Sequence, residues 1–374
     1  MPHLPAKHRL VIEKVMPKKT KSILHSESES NAGHANTRQH GFDLGPIDAV
    51  ITWVDGSDPR WRKNRDNFFQ VDNDDDTISD ARYTTAGEIY YCVAGIIKNT
   101  TFFRNIFIVT DKQDPKIVEF FLKRFGIDLS NKIKIIDHSE IFSGYEHLLP
   151  TFNSTSIETM LHRIPGLAER YVYFNDDFII AKPIKTEDFF IANKPVLRGQ
   201  QMSAKAVSYF RWSLAKLEKG EWAPKQKRFS FKDYQLRAFE LFGPVENFFW
   251  VDHTPYPIFR PTLEHYFEEH KDVLLKNAQY KTRHHEQFSP MALANALEIR
   301  AGRAIFDKPR LTYCKPSSRK AELLYIWRKR LSFMKRRPKF LCMQALSEAK
   351  PGTRKIAIAW LDRLCFRDFN TALK

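Results

Sequence analysis

Ten residues narrow the possible folds of this chain more than any others: Tyr171-Val172-Tyr173-Phe174-Asn175-Asp176-Asp177-Phe178-Ile179-Ile180. Aromatic and β-branched residues lead into a polar triplet, and three apolar residues follow. A short apolar run of this kind reads as a buried strand of an α/β sheet. Asn175, Asp176 and Asp177 then fall at or near its C-terminal end, where open α/β sheets seat their ligands. Two adjacent carboxylates beside a buried strand are costly unless a cation meets them. A divalent metal carrying a nucleotide diphosphate suits them, because Mg²⁺ takes a few carboxylates together with phosphate oxygens. Taken alone, the triplet reads first as a polar strand end with a solvated turn; the rest of the chain changes that.

The flanking sequence supplies the rest of such a sheet. Ile47 to Val54 is a β-rich run ended by Asp55-Gly56-Ser57-Asp58-Pro59. Gly56 there lets backbone approach a ligand, with Asp55 or Asp58 reaching ribose or metal; the plain alternative is an ordinary strand and turn. A helix is predicted over Thr85–Lys98, with Thr85 as cap and Glu88 three residues later in a capping-box position. Strands follow at Asn105–Asp111 and Lys132–Asp137, and helices at Ile117–Phe125 and Ser156–His162. Strands alternating with helices predict a doubly wound, Rossmann-like α/β sheet.

Residues 1–45 read as a flexible leader, residues 46–310 as the α/β domain and residues 311–374 as a basic, helical C-terminal region. Asp72 to Asp80 holds five aspartates in nine residues and reads as a solvated loop without EF-hand spacing. Residues 195–245 read as an inserted subdomain whose basic, aromatic surface suits an anionic sugar polymer or phosphate chain, and would also suit nucleic acid. Arg198 to Arg237 carries ten basic and three acidic residues, with Trp212, Trp222, Phe229 and Phe231 interleaved. Asp252-His253-Thr254-Pro255 and Lys281-Thr282-Arg283-His284-His285-Glu286 bring histidines beside an arginine, a phosphate-binding combination without the spacing of a zinc protease. Lys315 to Arg363 has fourteen basic and three acidic residues, and Trp327–Lys339 reads as a basic amphipathic helix able to rest on anionic lipid.

Lys and Arg number 60 against 44 Asp and Glu, a net charge of +16 that calls for an anionic partner. Cys92, Cys314, Cys342 and Cys365 form no CxxC pair, which fits a reduced, cytoplasmic setting. There is no secretory h-region and no apolar run long enough for a membrane helix. The expected location is cytoplasmic, with peripheral contact at the inner face of an anionic plasma membrane. Nucleic acid is not the expected partner.

Several stretches together resemble one family. Ile47 to Pro59, Arg104 to Asp111, Leu149 to Ser154, and His162 to Leu167 running on to Asn175-Asp176-Asp177 look like the first two blocks of the Stealth sugar-phosphate transferases. His253-Thr254-Pro255 with Lys281-Thr282-Arg283-His284 is similar to the third block, and Cys342–Leu364 to the fourth. The chain departs from the family pattern at Glu88–Gly95, which lacks two arginines, and at Tyr256, where a second His is usual.

The resemblance implies a GT-A-like fold and transfer of a sugar-1-phosphate from a nucleotide diphosphate sugar, a UDP-sugar first of all, to a saccharide hydroxyl. The setting it implies is capsular or cell-surface polysaccharide synthesis. It implies Mg²⁺ or Mn²⁺ on Asp176 and Asp177, with Asn175 orienting them. Arg283 would meet the phosphate and His253 the acceptor proton, with His284 able to exchange roles with it. Trp53, Asp55 and Glu88 would line the donor pocket, supported by Asn153 and Arg163. A metal-dependent glycosyltransferase releasing a nucleoside diphosphate is the second reading, and a non-catalytic polyanion-binding protein the third.

Overall fold

A computed structural model describes residues 45–69, 83–207 and 230–371. The leader up to residue 44, the Asp72–Asp80 run, and Trp212, Trp222 and Phe229 of the expected insertion lie outside the described residues.

The first half runs β1 (Ile47–Thr52), α1 (Pro59–Phe69), α2 (Glu88–Asn99), β2 (Phe103–Thr110), α3 (Ile117–Phe125), β3 (Ile133–Asp137), α4 (His138–Ile141), α5 (Ser154–Met160) and β4 (Arg170–Asn175). It continues through β5 (Phe178–Ile180), β6 (Phe190–Ile191), β7 (Lys194–Ser203), α6 (Phe231–Glu240), β8 (Asn247–Val251) and β9 (Tyr256–Phe259). The last part is α7 (Arg260–Glu269), α8 (Lys271–Ala278), α9 (Pro290–Arg300), β10 (Ile305–Asp307), β11 (Leu311–Cys314), α10 (Glu322–Arg336), β12 (Phe340–Met343) and α11 (Pro351–Leu361).

The main sheet has the order β3-β2-β1-β4-β9. The first four strands are parallel, and β9 closes the edge antiparallel to β4. Ile47 to Ile51 and Arg170 to Phe174 are buried throughout, as continuous apolar runs in a parallel sheet should be. Asp48 is fully buried on β1 and is answered by Arg104 in a two-pronged ion pair, at 3.0 and 2.5 Å. Its carboxylate also accepts the N–H groups of Asn105 and Ala168, which ties β1 to β2 and to the approach of β4. The strand order reverses between β1 and β4, so a crevice opens beyond the C-terminal ends of these two strands.

The ten-residue run is not one strand. β4 ends at Asn175, the chain turns through Asp176 and Asp177, and β5 leaves for a second sheet of order β11-β12-β5. β5 packs closely under α2: a Cβ on Gly95 would stand 2.9 Å from the Ile180 carbonyl oxygen. The C-terminal region therefore contains strands as well as helices, and β12 pairs antiparallel with β5. α10 and α11 meet through Phe333 and Trp360, edge to face at 5.4 Å. The expected insertion also starts inside regular structure, since β7 pairs with β6, β8 and β10.

The helix expected from Thr85 begins at Glu88 instead. Gly87 caps it at φ 86°, a left-handed conformation that suits glycine. The capping box is not formed: the Glu88 carboxylate folds back to accept the Ala86 N–H at 2.6 Å and the Thr85 hydroxyl at 3.0 Å.

Candidate active site

A cleft of about 660 Å³ opens at the reversal between β1 and β4. β1 delivers Thr52 and Trp53, β4 and its turn deliver Asn175, Asp176 and Asp177, and the start of α2 delivers Glu88. Glu158 reaches the same cleft from α5. The Asp176 carboxyl is held well above the ordinary carboxylate range, first by burial and then by the charges of Asp177 and Glu88. Burial and Glu88 lift Asp177 to about 6, against a hydrogen bond from the Cys342 thiol at 3.4 Å. Burial lifts Glu158 to about 7, with Arg283 and the Tyr173 hydroxyl pulling the other way.

The pair suits a divalent cation. Asp177 Oδ1 is buried without a hydrogen-bond partner, and the charges that lift the two carboxyls are negative. Among the described residues no three His, Cys, Asp or Glu side chains converge into a metal cage. Two carboxylates completed by diphosphate oxygens and water is the arrangement Mg²⁺ accepts. Trp53 Nε1 also lacks a partner though buried, leaving a donor at the cleft wall.

His253, Arg283 and Lys315 line the same cleft from the second half of the chain. The His253 ring is stacked between Phe231 at 4.9 Å and Tyr313 at 4.8 Å, with Phe178 edge-on at 6.3 Å. Phe178 directly follows Asp177, so the imidazole stands close to the carboxylate turn. Burial lowers the His253 pKa, opposed by Asp252 and reinforced by Lys315, which keeps the ring neutral near pH 7 and able to take a proton. Arg283 Nη2 donates to the Ser154 hydroxyl at 3.0 Å, which places the guanidinium at the head of α5.

Six residues expected near a ligand do not line the cleft. Asp55 folds into its own turn, accepting the Ser57 N–H and hydroxyl at 2.8 and 2.6 Å. Gly56 likewise approaches Tyr83, not a ligand: a Cβ there would lie 2.4 Å from Tyr83 Cβ. Asp58 accepts the Arg60 N–H at the start of α1. Arg163 stacks on Tyr145 at 4.6 Å and donates to the carbonyls of Ile141 and Ser143. His284 stacks on Tyr280 at 4.0 Å and on His285 at 4.2 Å, away from the cleft. Asn153 caps α5, and its amide donates to the carbonyls of Tyr280 and Thr282 and to Gln287 Oε1. It thereby holds the loop that carries Arg283. Tyr256 sits buried in β9 beside Tyr173, ring centroids 6.4 Å apart.

Glu158, Phe231 and Lys315 escaped the sequence reading as cleft residues, and so did Tyr313 as the ring that backs His253. Glu158 is one acidic residue on a short helix, and Tyr313 and Lys315 arrive only because β11 joins the sheet of β5.

Residues 45–68 match conserved region 1 of the Stealth proteins and residues 82–197 match conserved region 2. Glu88, Glu158, Asp176 and Asp177 fall within the second of these. The chain therefore shares two conserved regions with the Stealth family. Two capsular polysaccharide phosphotransferases of Actinobacillus pleuropneumoniae are each 37% identical to it, over 49% of this chain and 49% of one relative and over 54% of this chain and 55% of the other. The chain thus spans about half the length of these curated relatives. A receptor polysaccharide phosphotransferase of Streptococcus oralis is 26% identical over 72% of this chain and 82% of that protein. Among solved structures, the WbbM bifunctional glycosyltransferase aligns with a TM-score of 0.43 and 12% identity over 80% of this chain and 46% of that one.

Proposed function

We propose that this chain transfers a sugar-1-phosphate from a nucleotide diphosphate sugar to a saccharide hydroxyl, within capsular or other cell-surface polysaccharide synthesis. The observation that carries the reading is the pairing, in one cleft, of the Asp176-Asp177 turn with His253 and Arg283. The relatives' names, capsular and receptor polysaccharide phosphotransferase, support the same class.

Asp176 and Asp177 would hold Mg²⁺ or Mn²⁺, which when bound supplies positive charge to the diphosphate. Trp53 and Glu88 border the donor. Arg283 offers a guanidinium to the phosphoryl group, whose charge must be met as it transfers. His253, neutral and fixed by its two stacked neighbours, takes the proton of the attacking hydroxyl. The acceptor oxygen forms the new bond to the sugar-linked phosphorus, the bond from that phosphorus to the bridging oxygen breaks, and a nucleoside monophosphate leaves.

The test is incubation of the full chain with Mg²⁺, a panel of UDP-, GDP- and CDP-sugars and a short acceptor saccharide, with the released nucleotide weighed by mass spectrometry. A nucleoside monophosphate and a phosphodiester product are expected. Release of a nucleoside diphosphate would put the attack on the anomeric carbon and overturn the reading.

A further inference from the structure

α10 is the most unusual surface of the described residues. Among the described residues nine large apolar side chains are exposed, and five of them, Leu323, Leu324, Trp327, Leu331 and Met334, belong to this one helix, each 50–60% exposed. Leu323, Trp327, Leu331 and Met334 recur at helical spacing and share one side. Leu324 widens that stripe. The side turned to the protein is different: Glu322, Ile326 and Phe333 are buried, and Phe333 packs on Trp360 of α11. The helix therefore has two apolar faces, one satisfied by the core and one presented to solvent. Contiguous exposed apolar surface of this kind marks an interaction site.

Charge identifies the occupant. On a helical projection Arg328 and Lys335 border one edge of the exposed stripe and Arg330 borders the other. The Arg330 guanidinium lies 5.7 Å from the Trp327 ring, at the seam between apolar and basic surface. Lys329, Arg336 and Arg337 add further charge, and the chain as a whole carries +16. An apolar stripe with an aromatic ring, rimmed by Lys and Arg, fits a bilayer surface rich in anionic headgroups. A protein partner covering the stripe would have to bring both a groove and acid on each side of it. No helix among the described residues is long and apolar enough to cross a membrane, so the contact would lie in the interface plane.

We propose that α10 docks this protein on an anionic lipid surface by laying Leu323, Leu324, Trp327, Leu331 and Met334 among the headgroups. The docking helix is linked to the cleft. The Tyr325 hydroxyl accepts the backbone N–H of Lys315, which lines the cleft, at 3.3 Å, and Glu322 accepts the Lys350 N–H at 2.8 Å. Seating α10 would therefore hold the cleft close to the bilayer. The proposal stands whether or not the transfer reaction above is the right one.

The experiment is co-sedimentation of the full chain with vesicles of phosphatidylcholine, with and without phosphatidylglycerol, at low and high salt. The intact chain is expected to bind the anionic vesicles and to bind the neutral ones more weakly. W327E/L331E should weaken anionic-vesicle binding by about tenfold or more at either salt, because it removes the inserted surface. R328A/R330A/K335A should weaken binding mainly at low salt, where headgroup attraction is least screened. These side chains are solvent-facing, so an unchanged circular dichroism spectrum serves as the folding control. Failure of the intact chain to sediment with anionic vesicles at low salt would overturn the proposal. So would wild-type binding by W327E/L331E, since charge alone would then suffice. A dimer in solution that W327E/L331E converts to monomer, without vesicle binding, would assign the stripe to a second copy of the chain.

Discussion

The cleft draws its acidic and its basic groups from different parts of the chain, and they are built in different ways. Asp176, Asp177 and Glu88 come from the first half and sit on a strand end and a helix start, where burial, with Glu88 beside them, holds the two aspartates above the ordinary carboxylate range. His253, Arg283 and Lys315 come from the second half, on connections between elements, and are steadied by side chains: Phe231 and Tyr313 for the imidazole, Ser154 for the guanidinium. The acidic part is fixed by backbone topology and stores unfavourable charge. The basic part is fixed by packing and stores little. Their chemistry should respond differently to substitution.

The largest effect is expected on the acidic side. Asp176→Asn and Asp177→Asn should each cut transfer by about three orders of magnitude, because a lost carboxylate removes several kcal/mol of charge stabilisation around the diphosphate. Both proteins should melt no lower than the parent, since a costly buried charge has gone. Full turnover in EDTA would break the assignment. His253→Ala comes next, lowering kcat by about 10² to 10⁴-fold with little change in KM for the donor; an unchanged kcat would put the base elsewhere. Removing one of its stacked neighbours, by Phe231→Ala or Tyr313→Ala, should cost roughly tenfold in kcat through loosened aim. A loss in donor KM alone would mean that these rings bind donor and do not position the base.

A smaller difference concerns acid. Burial holds His138 near pKa 4 and His162 near pKa 3, below the ordinary 6.5 of the unfolded chain. Between about pH 6.5 and 4 the unfolded chain therefore binds more protons, and stability falls as pH drops. Glu158, raised to about 7, Asp177, raised to about 6, and Asp176, raised further, work in the opposite direction and are costliest above neutrality. The histidine part is therefore read by difference: in urea midpoints at pH 7.5 and 5, His162→Leu should gain on the parent at the lower pH, and an equal offset at both would remove His162 from the account. The smallest effect belongs to Asp55→Asn, which should leave turnover within about twofold because the side chain is engaged in its own turn.

Much of the sheet was legible from the sequence because parallel strands are continuous apolar runs: α3 matches its expected range, and the core of each predicted strand is present. Asp176 and Asp177 were legible because two carboxylates next to such a run have few explanations. The break after Asn175 was not, since periodicity does not say which sheet a strand joins. The role of Asn153 was misjudged for a related reason: a polar residue near a helix start is equally consistent with a ligand contact and with a cap, and only the loop at Tyr280–Gln287 decides. Phe231, Lys315 and Glu158 could be assigned to the cleft only after distant segments met.

Tyr173 invites a count of hydrogen atoms. Its hydroxyl stands 2.9 Å from Thr52 Oγ1, 3.0 Å from Glu158 Oε1 and 2.7 Å from Asn175 Oδ1. A phenol owns one hydrogen, so it cannot give to both Asn175 and Glu158. If the hydrogen goes to the Asn175 oxygen, Glu158 must hold its own proton. If Glu158 is ionised and takes the hydrogen, Asn175 must turn its amide nitrogen toward the phenol. The charge on Glu158 and the direction of the Asn175 amide are thus one binary variable, set one residue before the carboxylate turn. Loss or gain of a single proton at α5 would swap an acceptor for a donor at the end of β4.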